Sequence, residues 1–299
     1  SLALTGTDKI NIMTILEALQ WAEGKLRGNK ENPKLDAQVI LAHVISRGTA
    51  YLFAHSEDPL TTTHIEQFQR LVERRVRHEP VAYLVGHKEF YGREFTVNPH
   101  VLIPRPDTET MVDLAKTVIA PTSLIIDVGT GSGAVALTLA AETGRPAVAI
   151  DLSSSALTVA KLNAESLKLT HLVAFFEGDL LTPLLDESHG ESLGPHAVIT
   201  ANLPYISNRQ YEGLDPNVKA YEPRLALVSG IDGLDHYDQL FSQISAHRHI
   251  LPAKLDVLIE IDPSQRLSAH ALVKSHLPHA TVTLHNDLTG RARVIHVTI

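Results

Sequence analysis

Cysteine is absent from the 299 residues of this chain, which excludes disulfides, thiolate zinc sites and cysteine nucleophiles. No apolar run approaches the ~18 residues that a membrane span needs. The opening SLALTGTDKI lacks the basic-then-apolar order of a signal peptide, so none is expected, and a cytoplasmic location is. Basic charge is scarce: 26 Lys and Arg against 34 Asp and Glu give a net charge of -8, whereas a protein that grips nucleic-acid phosphates usually carries a basic face. No HExxH-like pair occurs among the 17 histidines, so packed or solvated histidines are expected and no metal site. Repeats and low-complexity tracts are missing too. What is present is ordinary for a globular chain, 44% hydrophobic and 20% charged, at a length that suggests two domains.

Residues 10–27 carry a helical stripe of Ile12, Ile15, Leu16, Leu19, Ala22 and Leu26. Asn32-Pro33 reads as a cap and first-turn proline for a helix presenting Leu35, Val39 and Ala42. A third helix from near Thr63 uses Ile65, Phe68, Val72 and Val76, and carries Arg74, Arg75 and Arg77 as a solvated face or a docking surface. The organisation expected is a helical domain over 1–80, a hairpin linker over 81–102 with extended runs around Gly86 and Gly92, and an α/β domain over 103–299. In IPRPDTE (103–109) the prolines forbid a helix, and Asp107 or Thr108 is expected to cap the next one. Beyond Pro121, buried strands at 124–128, 147–150, 172–176, 197–201 and 255–261 alternate with helical stretches, the mark of a mostly parallel sheet covered on both faces. TVTLHND and RVIHVTI promise a closing antiparallel pair.

IIDVGTGSGAVAL places a strand, then Asp127, Gly129, Thr130, Gly131, Ser132 and Gly133, then a helix. Glycines allow the backbone a tight turn and close approach to a ligand beside the helix N-terminus. Asp151 follows the next strand and suits both hydroxyls of a ribose. GTGSGA also satisfies a dinucleotide fingerprint. Asp127 separates the two readings: an acid before the first glycine repels a pyrophosphate but suits a ligand with an ammonium and no phosphate, as in S-adenosyl-L-methionine. Asp179, after the third strand, can receive an adenine amino group, and Leu180 can pack on the ring. No hydride-acceptor site is evident, so a methyltransferase is favoured over a dehydrogenase.

Asn202-Leu203-Pro204-Tyr205 ends the fourth strand. A nitrogen conjugated to a π-system is a poor nucleophile and must be held with its lone pair aimed at the methyl carbon. The Asn202 side-chain oxygen and the Leu203 backbone carbonyl can each accept one N–H, orienting the nitrogen and stabilising its developing positive charge. Pro204 stiffens the turn, and Tyr205 offers a flat face to a planar amide or base.

Over nearly its whole length the chain resembles the HemK/PrmC-type protein-(glutamine) methyltransferases of peptide-chain release factors. The resemblance rests on EPVAYLVGHKEFYG (79–92), VLIPRPDTE (101–109), DVGTGSGAVAL (127–137), NAESL, EPRLALVSGIDGLDHY (222–237), IEI…Q (259–265) and DLTGRARVI (287–295). It implies a Rossmann-like, S-adenosylmethionine-dependent fold with a seven-stranded sheet, and methylation of the glutamine amide in the GGQ loop of release factors. It further implies an N-terminal domain that helps dock the substrate protein. By the family pattern Gly129–Gly133, Asp151, Leu180 and Asn202 contact the cofactor region, and Asn202 through Tyr205 hold the glutamine. A monomer with no direct nucleic-acid binding is expected. The chain departs from the family at Leu203, usually proline, at Asp262, commonly glycine, and at Pro252-Ala253-Lys254, usually PGG. Two rival readings remain: an adenine-N6 methyltransferase acting on RNA or DNA, since NLPY also occurs in rRNA adenine dimethyltransferases, and a non-catalytic protein that binds cofactor and docks a partner.

Overall fold

Asn32 and Pro33 open a helix as their sequence signals. The Asn32 side chain accepts the Leu35 N–H at 3.2 Å, and Pro33 occupies the first turn, where its missing N–H costs nothing. In this computed structural model residues 13–28, 32–185 and 193–299 are described; Ile12 lies outside them. They divide into two units, one running to Gly86 and including Pro216–Tyr221, the other formed by His87–Asp215 and Glu222–Ile299.

The first unit holds α1 (Ile15–Leu26), α2 (Pro33–Val44), α3 (Thr49–Ala54), α4 (Thr62–Val76) and α5 (Val81–Val85). Thr14 and Glu17 form a reciprocal capping box at the start of α1. Ile15, Ala22, Leu26, Ile40, Leu41, Leu52, Phe68 and Val72 make the core. Four expectations need correction. Leu16, Leu35 and Val76 are exposed at 40%, 51% and 42%. On α2 the buried face is Asp36, Ala37, Ile40 and Leu41, and Val39 is half-buried. Arg75 is neither a solvated nor a docking residue: it is 1% exposed, and its Nε donates to Asp36 Oδ2 at 2.7 Å, while Arg74 pairs with Glu79. That buried ion pair rotates both helices to bring Asp36 and Arg75 inward and carries their apolar neighbours round with them. Finally, Val81–Val85 is a short helix ended by Gly86 at φ 81°, so the extended run starts only at His87.

In the second unit β1 (His87–Phe90) and β2 (Arg93–Thr96) pair antiparallel through Tyr91-Gly92, both at positive φ, as a tight hairpin requires. Then come α6 (Glu109–Val118), β3 (Ser123–Val128), α7 (Ala134–Thr143), β4 (Ala147–Asp151), α8 (Ser154–Ser166), β5 (Val173–Glu177), β6 (His196–Ala201) and α9 (Asn208–Glu212). The segment α10 (Pro216–Tyr221) belongs with the first unit, where the Tyr221 hydroxyl donates to the Arg77 carbonyl at 2.8 Å. Then α11 (Asp235–Ala246), β7 (Lys254–Glu260), α12 (Arg266–His276), β8 (Thr281–Asn286) and β9 (Ala292–Thr298) complete the chain.

Seven strands form one sheet in the order β5-β4-β3-β6-β7-β9-β8, parallel from β5 to β7, with β9 antiparallel to both its neighbours. Apolar clusters cover both faces. The strand order reverses between β3 and β6, and the crevice at their carboxyl ends is where sheets of this kind bind ligands. At the opposite end, packed histidines are found: His196 and His296 flank the Asp256 carboxylate at 2.8 and 2.7 Å.

Removing the Asp36 carboxylate strands a buried guanidinium, so Asp36→Ala should cost about 3–5 kcal/mol of stability in denaturant unfolding. A loss below about 1 kcal/mol would show that the pair does not hold the helices.

Candidate active site

The register of β3 on β6 sets Asp127 opposite Thr200, and the hydrogen bonds follow. Asp127 accepts from Thr200 Oγ1 at 2.7 Å through one oxygen and from Thr130 Oγ1 at 2.7 Å through the other. One carboxylate thus ties together β3, the glycine loop and the strand that leads to Asn202. Only 3% of Asp127 is exposed, and burial pushes its pKa up to about 6 against the pull of the two hydroxyls.

The loop itself is held from two further sides. The N–H groups of Gly129 and Thr130 donate to the Ile150 carbonyl, and Gly131 N–H donates to Asp151 Oδ2 at 2.8 Å. Asp151 Oδ1 takes the Ser153 N–H at 2.9 Å, and burial raises its pKa. Asn163, buried on α8, donates to the Ser132 carbonyl at 2.8 Å and brackets Thr96 of β2 with its other contacts. Two glycines are obligatory on contact grounds. A Cβ on Gly133 (φ 80°) would lie 2.9 Å from Leu137, and one on Gly129 (φ 71°) would lie 2.8 Å from Leu203 Cδ2.

That last contact explains Leu203. Its side chain is buried over Gly129, and its backbone N–H donates to the Tyr237 hydroxyl at 3.2 Å. Tyr237 in turn donates to the Glu260 carbonyl. A leucine therefore stands where proline is usual with its backbone pinned by a phenol. Asp262 fits as easily, because at φ -68° it caps the turn Pro263–Gln265 and nothing there requires glycine. Gln265 then donates to the carbonyls of Tyr205 (2.9 Å) and Asp232 (3.0 Å), clamping the loop behind Asn202.

A cavity of about 170 Å³ opens at this edge. Asp127, Gly129, Thr130, Gly131, Ser132, Asp151, Asp179, Leu180, Asn202, Leu203 and Pro204 all line it, so eleven of the thirteen residues singled out from sequence converge. The exceptions are Gly133, which turns the loop into α7, and Tyr205. The Tyr205 ring is turned instead toward the Glu260 carboxylate, with Arg293 and Arg105 close by, and burial raises its pKa. Asp179 accepts from Gln239 Nε2 at 2.5 Å, and Leu180 is held at φ 55°.

IPRPDTE behaves differently from expectation. Neither Asp107 nor Thr108 caps α6. Pro106–Thr108 is a single 3₁₀ turn; Asp107 pairs with Arg293 at 2.8 Å, and the Thr108 hydroxyl accepts from Asn202 Nδ2 at 3.0 Å. Arg105 lines the cavity and pairs with the buried Glu222, which also takes the Ile103 N–H. His236, on the cavity wall near Asp179, has its Nδ1 against Ser229 Oγ at 2.6 Å. Arg105 was left without a role by the sequence, Thr108 was read only as a cap, and Glu222, His236 and Glu260 were not singled out. The only signal was that all of them fall on the IPRPDTE, EPRLALVSGIDGLDHY and IEI segments that carry the family resemblance, and these carry no chemistry by spacing.

The PrmC N-terminal domain family matches residues 17–86, and a methyltransferase domain family matches 125–214. Release factor glutamine methyltransferase of Bacillus anthracis is 34% identical, covering 95% of this chain and 98% of its own. That of Bacillus subtilis (strain 168) is 36% identical, over 94% and 96%. This chain belongs to the release factor glutamine methyltransferase family. A solved structure of the hMettl16 catalytic domain with a MAT2A 3′UTR hairpin overlays at a TM-score of 0.54 and 15% identity, covering 81% of this chain and 84% of its own, which shows a shared fold alone. Within the release factor glutamine methyltransferase family, then, this member presents three acids and few cations to its cavity. No helix among the described residues is long and apolar enough to cross a membrane.

For Asp127 the folded-state pKa is the higher one, so the folded protein binds the extra proton. The associated stability is fully present below the ordinary carboxylate value and is lost as pH rises through about 6. Urea unfolding of the wild type should therefore weaken by about 3 kcal/mol, relative to Asp127→Asn, between pH 4 and pH 7. Parallel curves for the two proteins would show that burial does not tune this group.

Proposed function

We propose that this protein methylates the side-chain amide nitrogen of the glutamine in the GGQ motif of peptide-chain release factors, with S-adenosyl-L-methionine as donor. The observation that carries the reading is the convergence of Asn202, Leu203 and Pro204 with Asp127, Asp151 and the glycine loop on one cavity. The wall suits a ligand with an ammonium and ribose hydroxyls: acceptor carboxylates at three strand ends, and a glycine loop offering close backbone approach. A pyrophosphate would meet those same carboxylates and be repelled. In this assignment Asp127 and the loop from Gly129 to Gly133 hold the amino-acid end, Asp151 the ribose, and Asp179 with Leu180 the adenine.

S-adenosyl-L-methionine supplies a methyl group already activated by its sulfonium, so no strong base is needed. The chain's own work is to aim the acceptor. Asn202 Oδ1 and the Leu203 carbonyl each accept one N–H of the glutamine amide, which turns the nitrogen lone pair out of conjugation and toward the methyl carbon. Positive charge would grow on the glutamine nitrogen as it takes the methyl group, and these two oxygens would stabilise it there. One N–H proton then passes to water. Tyr205 supports the loop from the Glu260 side, and not as a stacking surface on the cavity. Residues 1–80 dock the release factor, 81–102 link, and 103–299 carry the chemistry, in a cytoplasmic monomer that needs no direct hold on nucleic acid. Named relatives do not favour adenine methylation or a non-catalytic role.

Incubation with labelled methyl donor and release factors, followed by mass spectrometry, should place one methyl group on the GGQ glutamine and none on a factor lacking it. Asn202→Ala should lower turnover by about 10²–10³-fold with cofactor affinity nearly unchanged. Asp151→Ala should weaken cofactor binding by about 10–100-fold through loss of charge-assisted hydrogen bonds. Equal losses of binding from both changes would contradict this division of labour.

A further inference from the structure

An asparagine side chain has two faces of opposite character, an acceptor oxygen and a donor nitrogen, on nearly the same shape. Only one orientation serves the proposed reaction, because the substrate amide must meet Oδ1. The orientation seen here has Asn202 Nδ2 donating to Thr108 Oγ1 at 3.0 Å. Yet a threonine hydroxyl can equally donate, and a flipped Asn202 would then accept from it through Oδ1, its oxygen turned away from the substrate. Something must dispose of the hydroxyl proton.

Glu260 is placed to do so. It sits at the end of β7, 1% exposed, with Thr108 and Tyr205 close enough to its carboxylate to draw its pKa down. Its Oε2 is buried with no hydrogen-bond partner, leaving it short of donors. Resting on the function proposed above, we propose that Thr108 and Glu260 are positioning residues that set the direction of a hydrogen-bond chain, Asn202 N–H to Thr108 O–H to Glu260 carboxylate, and so fix Asn202 Oδ1 toward the acceptor amide. The Thr108 proton is committed to the carboxylate, its oxygen is left to accept, and Asn202 has one way round. IPRPDTE then contributes the oriented hydroxyl, and IEI the anion that orients it.

Other groups facing the carboxylate are Arg293 from β9 and Asp107 from the 3₁₀ turn, with the Tyr237 phenol from α11 also within its field. Burial outweighs the attraction of Arg293 and the two hydroxyls and pushes the Glu260 pKa up to about 7. Protonation removes the anion that claims the Thr108 proton and frees the Asn202 amide to turn. Turnover therefore falls as pH drops below about 7, an acid limb with its origin in a group that never touches substrate.

The test uses the full-length enzyme with a release factor and labelled methyl donor, reading kcat against pH, cofactor Kd and thermal unfolding. Thr108→Val, close in shape but without the hydroxyl, should lose about 10²-fold in kcat, keep its cofactor Kd, and lose the acid limb. Thr108→Ser should restore kcat to within about threefold together with the limb. Glu260→Gln offers the hydroxyl an amide that can donate as well as accept; it should lower kcat and flatten the acid side. Thr108→Val with wild-type kcat and pH profile would overturn the inference, as would equal losses in Thr108→Val and Thr108→Ser. Asn202→Ala separates the two levels: an inactive Asn202→Ala beside an unaffected Thr108→Val refutes this chain alone, whereas an active Asn202→Ala refutes the functional reading and this inference with it.

Discussion

The carboxylate of Asp127 is the point on which the site depends. By accepting from Thr130 and Thr200 it joins the glycine loop, the central strand and the strand that delivers Asn202. Each hydroxyl bond is short and buried, so the loop and the acceptor motif cannot shift independently without stranding a polar atom. The register between β3 and β6 supplies this junction directly, since Asp127 and Thr200 are paired residues. The glycine loop and the Asn202 segment thus sit on one frame, as pre-organised catalysis demands.

Around that frame, the segments that lack chemistry of their own act as restraints. Tyr237 pins the Leu203 N–H, Gln265 grips the Tyr205 carbonyl, Asn163 holds Ser132, and the buried Glu222 anchors Arg105 and the Ile103 N–H. Most come from elements distant in sequence and bear on backbone groups of the site, which explains why several fall in segments of little chemical character.

The sheet was legible in the sequence because its strands are continuous apolar runs separated by helical periodicity. The structure moves their ends by no more than one residue. Glycine and acid positions were legible because backbone geometry and ligand charge constrain them singly. Pairwise facts were not. Nothing local announces that Arg75 would turn inward to meet Asp36, 39 residues away, or that Thr108 would leave its helix uncapped to reach Asn202, 94 residues on. Local propensity favoured the cap, and tertiary hydrogen bonding prevailed. Tyr205 is a similar case: it lies off the cavity wall and close to the buried Glu260 carboxylate, which no local pattern announces.

The meeting of Leu203 with Gly129 has a consequence for how such a sequence can drift. The leucine's Cδ2 occupies the space that any side chain at 129 would enter, so two positions 74 apart share a single compartment. A side chain at 129 would have to displace that leucine, so the residue after β6 adds a steric bar to the one that the positive φ after β3 already sets.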